Sequence, residues 1–473
     1  MTDRILIHPV TRIEGHAKIS IYVDDAGQVT SAQFHVTEFR GFEKICEGRP
    51  FPEMPGLMSR ICGICPVSHI LASSKACDML LGVEIPRAAE LQRRLVNYAQ
   101  VLQSHALSFF HLSAPDLLLG LDSPAEKRNL FGLLESDRDL ARRGIRLRQF
   151  GQRIIELVGG KRIHPAWGAP GGVLRALGSA ERDEIRSWIP EALQSMDLAL
   201  TRMKSALDSF ALEVEEMGSF PTLFLGTVTP EGCLEYYDGP IRIVDAEGNT
   251  VADELDPLRY ASYLGEASEE WSFTKFAYYK PLGYPGGIYR VGPLARLNVA
   301  HSAGTSRADR ELREFKHRGN GAVCQSFHYH LARLIEMLHC VERIEELVDD
   351  PDLLGEHVRA KAGLNRHQGV GACEAPRGTL FHDYQVDNDG LIRKVNLLVA
   401  TCQNNLAMNQ AVEQTARRFV LPASLQEGML NRVEAAIRCF DPCLSCSTHA
   451  IGQMSLVLEI RNSAGELLGQ IAR

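Results

Sequence analysis

The sequence predicts a mainly helical α+β protein: a central bundle of long helices with small β-sheets at its edge. Three observations carry this. Apolar residues recur at helical spacing over several stretches far longer than a strand. Shorter stretches with alternating or β-branched character lie between them and at both ends. No fixed-period repeat and no low-complexity linker divides the 473 residues.

Taken in order, the first ~40 residues alternate apolar and polar ("HAKISIYVDDAGQVTSAQFHV"), with Asp25-Ala26-Gly27 as the turn of a β-hairpin. From Arg87 to Ser113 the period becomes helical, through Leu91, Leu95, Tyr98, Leu102, Ala106 and Phe109. Further helices are predicted over Leu140–Leu157, Ala180–Met217, Ala308–Leu347 and Asn405–Phe419. "GPIRIVDAEGNTVAD" reads as a hairpin and "GLIRKVNLLVAT" as a strand; the end, "MSLVLEIRNSAGELLGQIAR", reads as strand, turn, strand. "HPAWGAPGG" and "LGYPGGIYRVGPLARLN" are ordered loops. The implied division is one unit over residues 1–449, with a β-rich part to 50, a helical core over 51–440 carrying β insertions near 221–265 and 370–402, a short motif at 441–449, and an extension over 450–473.

Composition narrows the function classes. Lys and Arg number 51 against 59 Asp and Glu, a net charge of −8, which argues against a nucleic-acid partner. No run of about 18 apolar residues suggests a membrane span, and the N-terminus, broken by His8 and Pro9, does not read as a signal peptide. No Gly-x-Gly-x-x-Gly follows a strand and no phosphate-loop pattern occurs, so no flavin or nucleotide site is expected on this chain.

Of the 12 cysteines, eight are scattered singly and read as buried thiols. The other four form two Cys-x-x-Cys pairs, in "RICGICPVSH" (Arg60–His69) and "DPCLSCSTH" (Asp441–His449). Cysteines at i and i+3 can turn both sulfurs toward one metal, and two pairs give four thiolates. A zinc module closes over short loops; here the pairs stand at opposite ends of the chain, which favours a chemical centre assembled from both. Thiolates select zinc, nickel, Cu(I) or iron–sulfur clusters, and a shared thiolate supports a binuclear site. The ligand pattern alone leaves the metal open.

"RIEGH", "FRGFE", "RICGICPVSH", "YRVGPLARLN", "EAPRGTLFHDY" and "DPCLSCSTH" follow one another from Arg12 to His449. Together they resemble the large subunit of nickel–iron hydrogenases, most of all that of the cytoplasmic, bidirectional, NAD-coupled type. The resemblance implies that large-subunit fold and reversible heterolytic cleavage of H2 to protons and electrons. It implies that Cys62, Cys65, Cys443 and Cys446 bind nickel, that Cys65 and Cys446 also bind an iron carrying carbon monoxide and cyanide, and that Cys446 takes part in catalysis. Glu14 matches the glutamate that carries the proton outward, and Arg377 an arginine over the open metal position, for which Asp441 is a salt-bridge partner. Glu43 and His449 match ligands of a Mg2+ (or Fe2+) ion, with a backbone carbonyl near Leu397–Ala400 expected beside them. His69 is expected to hydrogen-bond a bridging cysteine sulfur. His16, His105 and His111 receive no role beyond core or proton-path filling. Respiratory relatives carry an aspartate where this chain has Ser104, which puts the carboxylate network behind the site in question.

The eight remaining cysteines offer no iron–sulfur relay. The resemblance therefore implies an iron–sulfur small subunit, diaphorase subunits with FMN and iron–sulfur clusters that bind NAD, maturation factors, and an endopeptidase that removes residues after His449 or Ala450. It also implies a cytoplasmic location. Other readings stay open at this stage: an acceptor such as NADP or a deazaflavin, a non-catalytic complex-I-like homologue (which would lack the four cysteines), and a zinc-stabilised structural protein.

Overall fold

A computed structural model describes residues 3–449, 457–461 and 467–472. The N-terminal segment forms three antiparallel strands, β1 (Asp3–Ile7), β2 (Ala17–Val23) and β3 (Val29–Val36), in the order β1-β2-β3. The expected hairpin is β2–β3. Its turn is held by Asp24, whose carboxylate accepts from the N–H groups of Ala26 and Gln28, with Gly27 at φ 76°.

Helix α1 (Pro66–Leu81) follows, then α2 (Arg87–Ala106), α3 (Arg138–Gly159) and α4 (Ser179–Ser209). The sequence reading missed α1. Nearly all its residues are buried, so it shows no amphipathic stripe to read. The α2 pattern does run to Ser113 as predicted, but the chain widens into a π-helical turn over Leu107–Ser113. The stretch predicted to run helical to Met217 breaks at Phe210 and resumes over Ala211–Glu216.

A four-stranded sheet comes next: β4 (Leu223–Thr227), β5 (Ile241–Val244), β6 (Thr250–Leu255) and β7 (Tyr289–Arg290), in the order β7-β4-β5-β6. Then come α5 (Ser306–Lys316) and α6 (Tyr329–Asp349). The sequence reading joined these two into one helix over Ala308–Leu347. The glycines of "RGNG" stop it: Gly321 takes φ 121°, which no L-residue tolerates in a helix. Helices α2, α3, α4 and α6 pack on one another as the central bundle.

The antiparallel sheet β8 (Gln368–Ala375), β9 (Gly378–Val386) and β10 (Ile392–Leu398) lies directly on α1. The approach is close because β8 presents glycines: a Cβ on Gly371 would stand 2.0 Å from the Ala72 carbonyl oxygen. The sheet matches the β insertion expected near 370–402, of which β10 alone was read as an individual strand. Helices α7 (Asn405–Phe419) and α8 (Glu427–Phe440) pack together, α8 being a second helix the sequence reading missed. Beyond the motif, β11 (Val457–Arg461) and β12 (Leu467–Ala472) pair antiparallel as predicted; their connecting turn lies outside the described residues. The predicted fold class, a helical bundle with small sheets around it, holds. None of the helices described is long and apolar enough to cross a membrane.

Candidate metal centre

The two cysteine pairs meet where three termini of secondary structure converge. Cys62 and Cys65 lie at the entry to α1, with Cys65 as its N-cap residue. Helix α8 ends at Asp441, whose left-handed backbone (φ 53°) turns the chain sharply into Cys443. The N-terminal segment supplies the third side: Glu14 and Cys443 form a parallel β-bridge, and the Leu444 N–H donates to the Glu14 carbonyl, 3.1 Å.

This brings four buried sulfurs together. Cys62 and Cys443 are 3.4 Å apart, Cys65 and Cys446 3.3 Å, and Cys443 and Cys446 3.0 Å, with all four Sγ atoms within 4.8 Å of one another. Such a set cannot ionise freely. Hydrogen bonds from the neighbouring sulfurs, Cys443 first, drive the Cys62 thiol well below its ordinary value. Burial holds Cys443 and Cys446 well above theirs. Four adjacent thiolates become stable only with a cation among them, and soft sulfur donors suit nickel or iron.

Glu14, Arg377 and His69 lie beside this cluster. Glu14 is half-buried; its Oε2 stands 3.2 Å from Cys443 Sγ and accepts from the Ser445 N–H at 2.9 Å, while Oε1 accepts from the Ser445 hydroxyl. Arg377 is buried on the opposite side. Its Nε donates to the Asp441 carbonyl, its Nη1 donates to Ser104 Oγ at 3.3 Å, and its Nη2 lies 3.0 Å from Asp441 Oδ2. Burial raises the Asp441 carboxyl, with Arg377 opposing. Arg377 also borders a small cavity lined by Cys65, Cys446 and the apolar side chains of Ala375, Leu380 and Val399.

His69, one turn along α1 from Cys65, has Nε2 3.3 Å from Cys446 Sγ, and burial drives it down to about 4. Glu43 and His449 touch directly, Oε1 to Nδ1 at 2.9 Å, and the backbone carbonyls of Thr448 and His449 accept from Arg40, Gly41 and Glu43. Against its burial, contacts with Cys402 and Glu43 push His449 up to about 9. Near Leu397–Ala400 the sequence reading expected a carbonyl at this pair; what meets Glu43 Oε1 there is the Leu397 N–H, at 2.8 Å.

His16 lies at the surface beside Glu38, and His105 is buried against Glu336 at 2.7 Å. His111, held below its ordinary value by burial, lies on the π-helical turn. Sequence reasoning missed Thr401, whose Oγ1 accepts from the Cys443 N–H at 3.0 Å, and His382, 3.1 Å from His69. Thr401 has no local signal. His382 sits inside "EAPRGTLFHDY" and could have been found from its alternation with Leu380 and Tyr384.

Comparison with known proteins identifies relatives over the length of this chain. A family model described as nickel-dependent hydrogenase matches residues 40–119 and 236–449, and one described as HoxL-like matches residues 4–39. The chain is 42% identical to the beta subunit of the NAD-reducing hydrogenase HoxS of Cupriavidus necator, over 100% of both chains. Among solved structures, it is similar to an NAD+-reducing nickel–iron hydrogenase in the H2-reduced state, with a TM-score of 0.92 and 47% identity over 95% of this chain and 100% of that one. A nickel–iron–selenium hydrogenase from D. vulgaris Hildenborough shares the fold at 23% identity, with a TM-score of 0.75 over 95% of this chain and 100% of that one. Four thiols gathered from both ends of the chain, on a backbone that matches these proteins over its length, place the chain in the nickel-dependent hydrogenase family.

Proposed function

We propose that this chain is the catalytic large subunit of a cytoplasmic nickel–iron hydrogenase that interconverts H2 with protons and electrons and exchanges those electrons with NAD+ through partner subunits. The observation that carries this is the buried cluster of Cys62, Cys65, Cys443 and Cys446, whose sulfurs lie within 4.8 Å of one another. These four would hold nickel, with Cys65 and Cys446 shared with iron. When bound, the nickel–iron centre supplies the Lewis acid that polarises H2 and the redox change that takes up two electrons.

The chain's own residues handle the proton and the surroundings. Glu14 stands within hydrogen-bond reach of Cys443 Sγ and is half-buried, so its carboxylate takes a proton from that sulfur and passes it toward the surface. Ser445 fixes the carboxylate through both oxygens. Arg377 keeps its charge, because burial is outweighed by Asp441 and the cysteine sulfurs. Anchored by Asp441 and Ser104, it would set a fixed positive charge beside the metals and balance the charge of the thiolates. The adjoining apolar cavity would house the carbon monoxide and cyanide of the iron and keep water out.

Glu43 and His449 fit a hard cation less completely. One carboxylate and one imidazole face each other, with the Lys275 ammonium 3.9 Å from Glu43. A Mg2+ ion would replace the shared proton and complete its shell with oxygen ligands. In either state the pair fastens the last residues of the motif to the N-terminal segment. Removal of residues 450–473 by an endopeptidase after metal insertion by maturation factors belongs to the same proposal, and the intact mass of active protein checks it.

The other eight cysteines include no pair spaced for a cluster, so electrons leave through an iron–sulfur small subunit to diaphorase subunits that bind NAD. H2-dependent NAD+ reduction by the purified complex tests the proposal. Cys446→Ser is expected to abolish it while the chain still folds; retained H2-dependent dye reduction in that variant would refute the metal assignment.

A further inference from the structure

Helix α1 repeats a polar or sulfur-bearing residue every fourth position from its N-cap: Cys65, His69, Ser73 and Cys77. That spacing sets them along one face. Strand β9 alternates, so His382 and Tyr384 share a face. Where the two faces meet, their side chains interleave into an unbroken hydrogen-bonded chain leading away from the cluster. His69 Nε2 is 3.3 Å from Cys446 Sγ, His69 Nδ1 is 3.1 Å from His382 Nε2, His382 Nδ1 is 2.6 Å from Tyr384 Oη, and Tyr384 Oη is 2.9 Å from Ser73 Oγ. His69 is 2% exposed, and the other three are fully buried.

Each junction holds a single proton between two atoms that can either donate or accept. With neither imidazole bonded to a carboxylate, the chain has two self-consistent polarities: every group donates toward the sulfur, or every group donates away from it. A metal-bound Cys446 is a thiolate and can only accept. It selects the first polarity. His69 Nε2–H then donates to the sulfur, His69 Nδ1 accepts from His382 Nε2–H, His382 Nδ1 accepts from the Tyr384 hydroxyl, and Tyr384 accepts from Ser73. Beyond Ser73 the next polar neighbour is Cys77, whose thiol donates to the Phe51 carbonyl, and all of these groups are buried, so the chain orients and does not conduct.

We propose that His382 and Tyr384 are positioning residues of the metal centre, locking His69 into the tautomer that donates a hydrogen bond to Cys446. The proposal rests on the reading of Cys446 as a ligand shared by nickel and iron. The donated bond withdraws charge from the sulfur and weakens its donation to the metals, a tuning role that a packed core histidine would not have.

Infrared spectra of the holoenzyme in one fixed redox state test this, with nickel content measured alongside. Tyr384→Phe removes the hydroxyl that donates to His382 Nδ1, and His382→Leu removes the N–H that donates to His69 Nδ1, so each releases His69 from its tautomer. Less charge is then withdrawn from the sulfur, the iron becomes more electron-rich, and the stretching bands of its carbon monoxide and cyanide move to lower wavenumber. Ser73→Ala leaves the Tyr384 hydroxyl with His382 as its acceptor and leaves the bands at their wild-type positions. Bands unshifted in both Tyr384→Phe and His382→Leu, at wild-type nickel content, overturn the relay alone. A wild-type enzyme with neither nickel nor these bands overturns the nickel–iron reading and the relay with it. His382→Leu decides the matter where Tyr384→Phe fails to assemble.

Discussion

Replacing Glu14 by glutamine removes one proton-accepting group and little else. In the wild type, Oε2 accepts from the Ser445 N–H at 2.9 Å and faces Cys443 Sγ at 3.2 Å, while Oε1 accepts from the Ser445 hydroxyl. Glutamine can place its carbonyl at the Oε2 position and keep the backbone bond. Its amide then lies at Oε1, where the Ser445 hydroxyl turns to accept. The structural cost is about 1 kcal/mol, the net worth of one altered hydrogen bond. The functional cost is far larger. A positioned general acid–base group contributes roughly 10²- to 10⁴-fold, which at about 1.4 kcal/mol per decade is about 3–5 kcal/mol of barrier. The assay is exchange between D2 and water, which needs proton transfer but no electron acceptor and so isolates this chain from its partners. Exchange is expected to fall by about 10²-fold or more, with nickel and iron content and unfolding midpoint near wild type. Unchanged exchange in Glu14→Gln would rule Glu14 out as the main proton route.

Two further predictions concern the framework. Asp116 accepts from Arg12 at 2.6 Å, Arg438 at 2.7 Å and Asn431 at 3.1 Å, tying the segment that carries Glu14 to helix α8. Asp116→Asn leaves buried Arg438 without its main counter-charge and is expected to cost about 3–5 kcal/mol in urea unfolding at neutral pH. Against the upward push of burial, Arg438 and Arg12 hold the Asp116 carboxyl below its ordinary value. Its contribution is therefore complete above about pH 4, the unfolded value, and is lost as pH falls through the lowered folded value. The stability gap between wild type and Asp116→Asn must narrow on acidification below about pH 4; a gap constant with pH contradicts the ion-pair account. Gly371→Ala would set a Cβ 2.0 Å from the Ala72 carbonyl oxygen, a backbone atom of α1. The helix must shift, at a cost of about 1–3 kcal/mol, and thermal stability and nickel retention should fall together. Gly363→Ala, which meets nothing within 4 Å, should change neither.

How much of this was legible in the sequence depended on where the determining contacts lie. The two Cys-x-x-Cys pairs were legible because the spacing that aims both sulfurs at one point is local. Helices α3, α4 and α7 were legible because each has a face pointing away from the core, and α2, though buried nearly throughout, because polar residues such as Arg93, Asn97 and Gln100 leave its apolar positions as a stripe. Helix α1 lies buried between the β8–β10 sheet and the bundle, and burial on all sides erases the stripe. The joining of α5 to α6 failed for another reason: the apolar pattern continued across "RGNG", and the glycine backbone overrode it. The pairing of Glu14 with Cys443 joins residues 429 apart in sequence, and no local pattern encodes it. Resemblance to a family gave Glu14 its proton-carrying role, and the fold supplies Cys443 as its partner. The support behind the site, from Thr401, Ser445, His382 and Tyr384, consists of side chains ordinary in type, whose meaning comes only from what they face.

Four thiols drawn from both ends of the chain are gathered to hold nickel. Metal analysis of the anaerobically purified complex tests it most directly. The predicted result is about one nickel per copy of this chain, since four thiolates can hold one ion and the chain belongs to the nickel-dependent hydrogenase family, with nickel lost in Cys446→Ser. Zinc in place of nickel, or full nickel retention in Cys446→Ser, would contradict it.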